Sequence, residues 1–351
     1  MKPLLYANTF NVKPRPGSFR DYYRAVYGPG PFPVDRFNLL PHIDPETDPI
    51  PVVNIVPKPE FNLSNLTSDW RDRYFSLFDQ VASTIYETAG TRDIVLMYSG
   101  GIDSTAVLVA LMKNARYKEF LDQGRIKIAM SSVSIHEYPE LFYETILPTF
   151  PIMLADYNLV MQDPNAFVVT GDAGDYVIGN TDTPIFFHNG TTDNLHEDKS
   201  ILWPYLDNID TSKKFSNFAS KLAELAPFDI VSLNQMYWWI GQAFVHQGEM
   251  CYPWTWSATT DLSELASFNK VYRFFLDPRF TTFSFEYMST NPVCTNYNSV
   301  RQFPREYIVD FTQHPSYLNK IKVFSQKLLF RKRYKTRIYA DLTFASDLTK
   351  L

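Results

Sequence analysis

Residues 92–109 read "RDIVLMYSGGIDSTAVLV". Residues 94–97 form a short, continuous apolar run, which is typical of a strand covered on both faces of a parallel sheet. Gly100 and Gly101 follow this run closely, and residues 104–115 have the composition of a helix. The stretch therefore predicts a strand, a tight turn and a helix, which is the repeating unit of an α/β fold.

The same alternation continues on both sides of this stretch. A helix is predicted to start near residues 68–69, because apolar residues then recur at helical spacing. Further strands are predicted at residues 126–130, 152–154 and 167–169, with a helix at residues 140–146. This pattern predicts a twisted parallel sheet flanked by helices.

Changes in composition divide the chain into three regions. Residues 1–67 are rich in proline and predict an irregular N-terminal arm. Residues 68–185 carry the strand and helix alternation of an α/β core. Residues 186–351 predict a mainly helical C-terminal region that completes the active site, with helices at 216–225, 228–244 and 263–275.

Composition excludes several classes of protein. Net charge is −5 over 351 residues, so no global positive field attracts nucleic acid or membrane. The two cysteines, Cys251 and Cys294, form no Cys-x-x-Cys pair, which argues against a disulfide framework and a cysteine-based metal site. The N-terminal sequence has no apolar signal core, and no apolar run is long enough to span a bilayer. We therefore expect a cytoplasmic protein that does not bind membranes.

The residue types of the glycine turn are suited to binding phosphate. Ligands of α/β sheets bind at the carboxyl ends of strands, where a helix N-terminus also attracts anions. Gly100 and Gly101 have no Cβ, so backbone amides can approach phosphate oxygens closely. Asp103 can hold a magnesium ion that bridges those oxygens. Hydroxyl donors come from Ser99, Ser104 and Thr105.

A second stretch, "NAFVVTGDAGDYVIGN" (165–180), repeats the design. An apolar strand leads into a turn of small residues, and a helix is predicted after it. Asp172 and Asp175 lie in this turn, where a second carboxylate can complete a magnesium site. An ordinary aspartate–glycine turn is the alternative interpretation.

Together the two motifs resemble those of asparagine synthetase and its relative β-lactam synthetase. In that family the first motif reads like "LSGGLDSS" and the second like "VVLSGDGGDELFGGY", against "MYSGGIDST" and "VVTGDAGDYVIGN" here. The family belongs to the PP-loop ATP pyrophosphatases, which have an adenine nucleotide α-hydrolase-like fold. The resemblance implies that the chain binds ATP and Mg²⁺ and cleaves ATP between the α and β phosphates.

The resemblance also implies roles for individual residues. The pyrophosphate is expected at Ser99, Gly100, Gly101, Asp103 and Ser104, and Mg²⁺ at Asp103 and Asp175. Thr170, Gly171 and Asp172 match the turn that faces the activated substrate. The adenine ring is expected near Ser132 and Ser134, at the end of the second strand. His136 and Glu137 follow closely; catalysis there is one interpretation, and a turn is the simpler one.

A weaker similarity lies further along the chain. The segment "FPREYIVDFTQHPSYLNKIKVF" (303–324) resembles the family's "LREAFRDLLPESVLNRPKQGF". This alignment places Lys322 where the family has its catalytic lysine, and Lys320 where it has an arginine. The implied role is to neutralise negative charge on the reaction intermediate and on departing pyrophosphate.

The function implied is an AMP-forming ligase that adenylates a carboxylate and then forms an amide bond. The proline-rich arm does not match the family's glutaminase domain, so the nitrogen is expected from free ammonia, a substrate amine or a separate ammonia-supplying protein. One alternative is an enzyme that modifies a tRNA or DNA base, favoured by the basic run at residues 330–337. The other is a non-catalytic descendant that only binds ATP or a partner.

Overall fold

Five parallel strands form one sheet in the order β3-β2-β1-β4-β5. Their bounds are Asp93–Tyr98 (β1), Ile126–Met130 (β2), Ile152–Leu154 (β3), Ala166–Thr170 (β4) and Val271–Arg273 (β5). The computed structural model describes Leu39, His42 and residues 69–155, 157–179, 197–209, 214–245, 270–291 and 301–320. The predicted α/β fold with a parallel sheet and flanking helices is confirmed, and four of the strands were predicted within one or two residues of their bounds.

Helices make up most of the rest of the described chain. They are Trp70–Ala89 (α1), Ile102–Lys113 (α2), Tyr117–Asp122 (α3), Ser132–Glu137 (α4), Tyr157–Gln162 (α5), Leu202–Ile209 (α6), Lys214–Glu224 (α7), Leu233–Ile240 (α8), Pro278–Thr290 (α9) and Gln302–Thr312 (α10). The helix predicted at residues 140–146 lies in a helical segment made of Pro139–Leu141, a π-helical turn at Phe142–Ile146, and Leu147–Thr149. Short 3₁₀ turns include Gly174–Tyr176 and Pro315–Asn319.

The chain divides into two units. The sheet unit comprises Arg71–Asp172, Asp261–Phe275 and Gln302–Leu351. The helical unit comprises Met1–Trp70, Ala173–Thr260 and Leu276–Arg301. Both units are therefore discontinuous in sequence, because the chain leaves the sheet unit after β4 and returns to it for β5.

The core of the sheet unit contains the apolar strands and the helices packed on them. Every residue of β1 after Asp93 is buried, as the continuous apolar run predicts. Phe78 of α1 stacks on Tyr307 of α10 at 4.4 Å between ring centroids, and the Tyr307 hydroxyl donates to Asp79 at 2.9 Å. Each such buried ring contributes about 1.5–3 kcal/mol of hydrophobic stabilisation. These contacts hold α10 against α1, and α10 also packs on α2.

The fifth strand corrects one expectation from the sequence. Residues 263–275 were predicted as a helix, but Val271–Arg273 form β5. Val271 pairs with Val168, and Arg273 with Thr170, at the edge of the sheet. The helical periodicity of this stretch was misleading, because three residues of strand are decided by distant pairing rather than by local pattern.

The helical unit is built around α8, which is buried along its whole length. A capping box between Ser232 and Gln235 begins the helix, as expected where both residue types can satisfy free backbone amides. The indole N–H of Trp238 donates to the Ser284 hydroxyl at 2.9 Å, and the Gln235 side chain donates to the Met288 carbonyl at 2.7 Å. These bonds join α8 to α9. Of the predicted N-terminal arm, only Leu39 and His42 lie among the described residues.

Within the described ranges, no helix is both long enough and apolar enough to cross a membrane.

Candidate functional site

The two motifs follow neighbouring strands at the point where the order of the sheet reverses. From β1 the chain runs outward to β2 and β3, and then returns to place β4 on the other side of β1. Met97 of β1 lies opposite Thr170 of β4. In doubly wound sheets the crevice at this reversal, outside the carboxyl ends of the strands, is where ligands bind.

The turn after β1 requires glycine at position 100. The φ angle of Gly100 is +76°, a conformation that other residues adopt at a cost. A Cβ there would overlap the carbonyl oxygen of Ser134 and lie 2.7 Å from the Cβ of Glu137. The turn is therefore packed tightly against α4, the helix that follows β2.

Hydroxyl groups fix the shape of this turn from within. The Ser104 hydroxyl donates to the Gly101 carbonyl at 3.1 Å and accepts from the Ser99 amide at 3.2 Å. The Ser99 and Ser104 hydroxyls are 3.0 Å apart. The Gly101 amide donates to the Ser99 hydroxyl at 3.3 Å. In this structure both serine hydroxyls are used in hydrogen bonds within the turn. They can contact phosphate, as predicted, only if some of these hydrogen bonds break.

The second motif touches the first at Gly171. A Cβ at this position would lie 2.8 Å from the Ser104 amide nitrogen and 3.0 Å from the Asp103 carbonyl carbon. Helix α2 begins at Ile102 behind Gly101, which has no side chain to cap the first-turn amides. The structure thus brings two of the sequence-predicted segments, 99–104 and 170–172, together at the N-terminus of α2.

Thr170, the last residue of β4, carries an unsatisfied polar atom. Its side chain is 2% exposed, and its hydroxyl has no hydrogen-bond partner among the residues that the structure describes. A buried hydroxyl without a partner costs about 1–3 kcal/mol, so such groups commonly await a ligand or a water molecule. Its position at the reversal of the sheet suits a polar ligand.

Two predicted acidic residues lie in this part of the sheet unit. Asp103 is in the first turn of α2, and Asp172 follows Gly171; both are partly exposed. In the described part of the chain, no three His, Cys, Asp or Glu residues converge into a metal site. Magnesium commonly takes only one or two protein carboxylates and completes its shell with phosphate and water, so Asp103 remains suitable.

Asp175, the other predicted magnesium ligand, belongs to the helical unit. Its carboxylate forms an ion pair with the buried guanidinium of Arg301. The next residue, Tyr176, accepts hydrogen bonds at its carbonyl from Gln242 at 2.9 Å and Ser284 at 3.4 Å. The helix predicted after the second motif is only a 3₁₀ turn, Gly174–Tyr176, held by these bonds. Because Arg301 already compensates the charge of Asp175, a metal ion there must compete with it.

Ser132 and Ser134 lie in the first turn of α4. The Ser134 hydroxyl donates to the Tyr98 carbonyl at 3.0 Å, which anchors α4 to the end of β1. Ser132 is partly exposed. The adenine contact expected of both residues stays a prediction.

Lys320 lies in a buried part of the sheet unit. Its side chain is 15% exposed, and its ammonium is 3.7 Å from the carboxylate of Glu137, which is 4% exposed. Burial lowers the pKa of Lys320 from 10.5 to about 8, and the charge of Glu137 opposes this shift. Since Glu137 also lies against Gly100, the lysine is linked through it to the glycine turn. The sequence suggested Lys320 by alignment but gave no sign of its pairing with Glu137.

Two further predictions, the catalytic role of Lys322 and the basic run at 330–337, lie outside the described residues.

Comparison with known proteins gives no assignment: no family model, no curated protein and no solved structure matches the chain.

Proposed function

We propose that the chain is a magnesium-dependent, AMP-forming ATP ligase of the PP-loop type, similar to asparagine synthetase. It adenylates a substrate carboxylate and transfers the acyl group to nitrogen. The observation that carries the proposal is the close contact of both motif turns at the N-terminus of α2, at the reversal of the sheet. Gly100 and Gly171 allow the turn to pack on α4 and the second motif to pack on α2, and the N-terminus of α2 that they surround is a position that attracts anions.

The residues around α2 fit the β and γ phosphates of ATP. Gly100 and Gly101 carry backbone N–H groups at this turn, and Ser99, Ser104 and the buried Thr170 carry hydroxyls. The Gly101 amide and both serine hydroxyls are bonded within the turn, so they must change partners to bind phosphate. Thr105 is buried behind the turn, where its hydroxyl lies 3.4 Å from the Gly100 carbonyl, so it supports the turn rather than facing a ligand. Asp103 would hold a magnesium ion, which would neutralise charge on the leaving pyrophosphate. Asp175 stays a ligand suggested by the resemblance alone.

The proposed reaction has two displacements. An oxygen of the substrate carboxylate attacks the α-phosphorus, and the bond to the β-phosphate oxygen breaks to release pyrophosphate. Ammonia or an amine then attacks the acyl carbon, loses a proton and releases AMP. Among the described residues, Lys320 is a cation suited to stabilise anionic groups here, and the alignment suggests the same role for Lys322. Asp172 is the proposed polar group beside the acyl acceptor.

The nitrogen donor is free ammonia, a small-molecule amine or ammonia delivered by a separate protein in the cytoplasm. The resemblance to the family begins after residue 90, so it leaves the choice among these three donors open.

Exchange of labelled pyrophosphate into ATP tests the proposal. The protein is incubated with Mg²⁺, ATP and pools of amino acids or other carboxylic acids. We expect exchange that depends on one acid, and we expect Asp103→Ala to abolish it. Asp122→Ala, at an exposed acid that ends α3, is the matched control and should exchange like the wild type.

The same assay separates the alternatives. ATP binding without exchange in any pool would contradict carboxylate adenylation and favour a nucleic-acid acceptor, which salt-dependent retention on immobilised RNA or DNA would then reveal. Failure to bind ATP with Mg²⁺ would favour the non-catalytic descendant.

A further inference from the structure

Glu137 and Lys320 form a buried ion pair that the proposed reaction does not by itself require. The Glu137 carboxylate is 4% exposed and the Lys320 side chain 15% exposed, with 3.7 Å between carboxylate oxygen and ammonium nitrogen. Removing two charges from water is unfavourable, and their attraction compensates this cost only when both partners are held in place. A pair with this cost and a location beside a ligand site calls for a functional explanation.

The structure fixes Glu137 from the side of the sheet. Its Cβ lies where a side chain at Gly100 would be, so the acid stands directly behind the glycine turn. The Ser134 hydroxyl, one helical turn earlier, is bonded to the Tyr98 carbonyl at 3.0 Å. Helix α4 therefore cannot move away from the turn without losing this bond.

Lys320 is fixed from the other side. Its backbone carbonyl accepts a hydrogen bond from the Arg305 guanidinium at 2.9 Å. Its ammonium lies 5.2 Å from the ring centroid of Tyr138 and 5.0 Å from that of Tyr317. Ring faces at this distance attract a cation. The ammonium is thus held near the end of α4.

The charged groups around Lys320 act in opposite directions. Burial and the guanidinium of Arg305 disfavour the charged ammonium, whereas Glu137 and, more weakly, Glu140 favour it. The tyrosine hydroxyls of Tyr138 and Tyr317 stay neutral, because burial raises the pKa of both. Glu137 is therefore the main group that keeps Lys320 a cation near neutral pH.

We propose that Glu137 is a positioning residue, which keeps Lys320 charged and in place beside the glycine turn so that the lysine can attract an anionic phosphate group. The identity of that anion rests on the proposed function; the pairing itself does not. Removing the Glu137 charge should let Lys320 lose its proton at lower pH and weaken its attraction for phosphate.

Titration of Lys320 by NMR tests the pairing directly. Protein with ¹³Cε-labelled lysine is titrated, and Lys320→Met identifies the Lys320 signal by its loss. We expect a midpoint near pH 8 in the wild type. In Glu137→Gln we expect about 7, since an opposite charge at this distance shifts a midpoint by about one unit or more. Glu140→Gln is the matched control and should shift it less.

Either of two results would overturn the inference. One is a Lys320 midpoint that is unchanged in Glu137→Gln or that moves as far in Glu140→Gln. The other is a wild-type midpoint at the ordinary lysine value of 10.5, a measurement that stands even if Glu137→Gln does not fold. Glu137→Asp, which keeps the charge, should restore part of the wild-type midpoint.

Binding of Mg²⁺–ATP connects the pair to the site. A midpoint that falls from about 8 to about 7 reduces the charged fraction at pH 7.5 from about three quarters to about one quarter. We expect the affinity of Glu137→Gln to fall about threefold at pH 7.5 and to recover near pH 6. A Glu137→Gln affinity that is lower by the same factor at both pH values would contradict positioning through charge. If the wild type binds no ATP, the proposed function fails, and the NMR midpoints still decide the pairing.

Discussion

The substitution Gly100→Ala examines the packing of α4 against the glycine turn. A residue other than glycine at a φ of +76° costs about 1–2 kcal/mol. The new Cβ would also overlap the Ser134 carbonyl oxygen and lie 2.7 Å from the Glu137 Cβ. Overpacking of this kind costs typically about 1–3 kcal/mol. We therefore expect Gly100→Ala to lower the free energy of unfolding by about 2–5 kcal/mol.

The control for this substitution is Gly124→Ala. Gly124 has a φ of +66°, but a Cβ there would have no heavy atom within 4 Å. The free energy of unfolding of Gly124→Ala should therefore fall only by the cost of a side chain at positive φ, about 1–2 kcal/mol. Urea denaturation followed by circular dichroism gives both values. Equal losses in the two variants would refute the close packing of α4 on the turn, because the backbone cost alone would then explain both.

Three further predictions follow from other contacts. Gly171→Ala places a Cβ 2.8 Å from the Ser104 amide nitrogen, which must shift the N-terminus of α2. We therefore expect titration calorimetry to show Mg²⁺–ATP binding that is weaker by at least about tenfold. An unchanged affinity would contradict this prediction. The pKa of Lys320 is about 8 instead of the ordinary 10.5, so the folded state disfavours the charged ammonium. The free energy of unfolding of the wild type should therefore rise between pH 8 and 10.5, by up to about 3 kcal/mol more than that of Lys320→Met. Urea denaturation measures both, and parallel curves of stability against pH would refute this. Arg301→Met leaves Asp175 without its cation, and we expect the free energy of unfolding, measured by urea denaturation, to fall by about 3 kcal/mol. A double variant that also carries Asp175→Asn should regain part of this loss. If the effects of the two substitutions simply add, the pair is not coupled.

The sequence alone predicts the two strands at the centre of the sheet, β1 and β4, and the turns that follow them. The apolar runs of β1 and β4 end in small residues, and this local pattern predicts both the strands and the turns that follow them. The sequence also predicts a glycine turn at Gly100, but it gives phosphate as the reason, and not the packing of α4 on Gly100 or of α2 on Gly171. The strands and turns depend on neighbours within a few residues of the chain, whereas the close contacts of both glycines are with residues far along it.

Other features could not be read locally. Strand β5 has three residues, and its pairing with Val168 and Thr170 decides its conformation. The contact between Glu137 and Lys320 joins α4 to the segment after α10, which are far apart in sequence. The ion pair of Asp175 with Arg301 is also long-range, so an acid predicted to be available for a metal ion is found with a cation beside it. Such contacts are set by tertiary packing, which residue patterns do not report.

The most direct test of the central claim is a titration of the wild-type protein with ATP in the presence of Mg²⁺, followed by ³¹P NMR. We expect the β and γ phosphate signals to shift on binding, the effect to vanish in Gly100→Ala, and Gly124→Ala to bind like the wild type. Binding that persists in folded Gly100→Ala, or no shift of any phosphate signal with the wild type, would contradict the assignment of the turn after β1 as the pyrophosphate site.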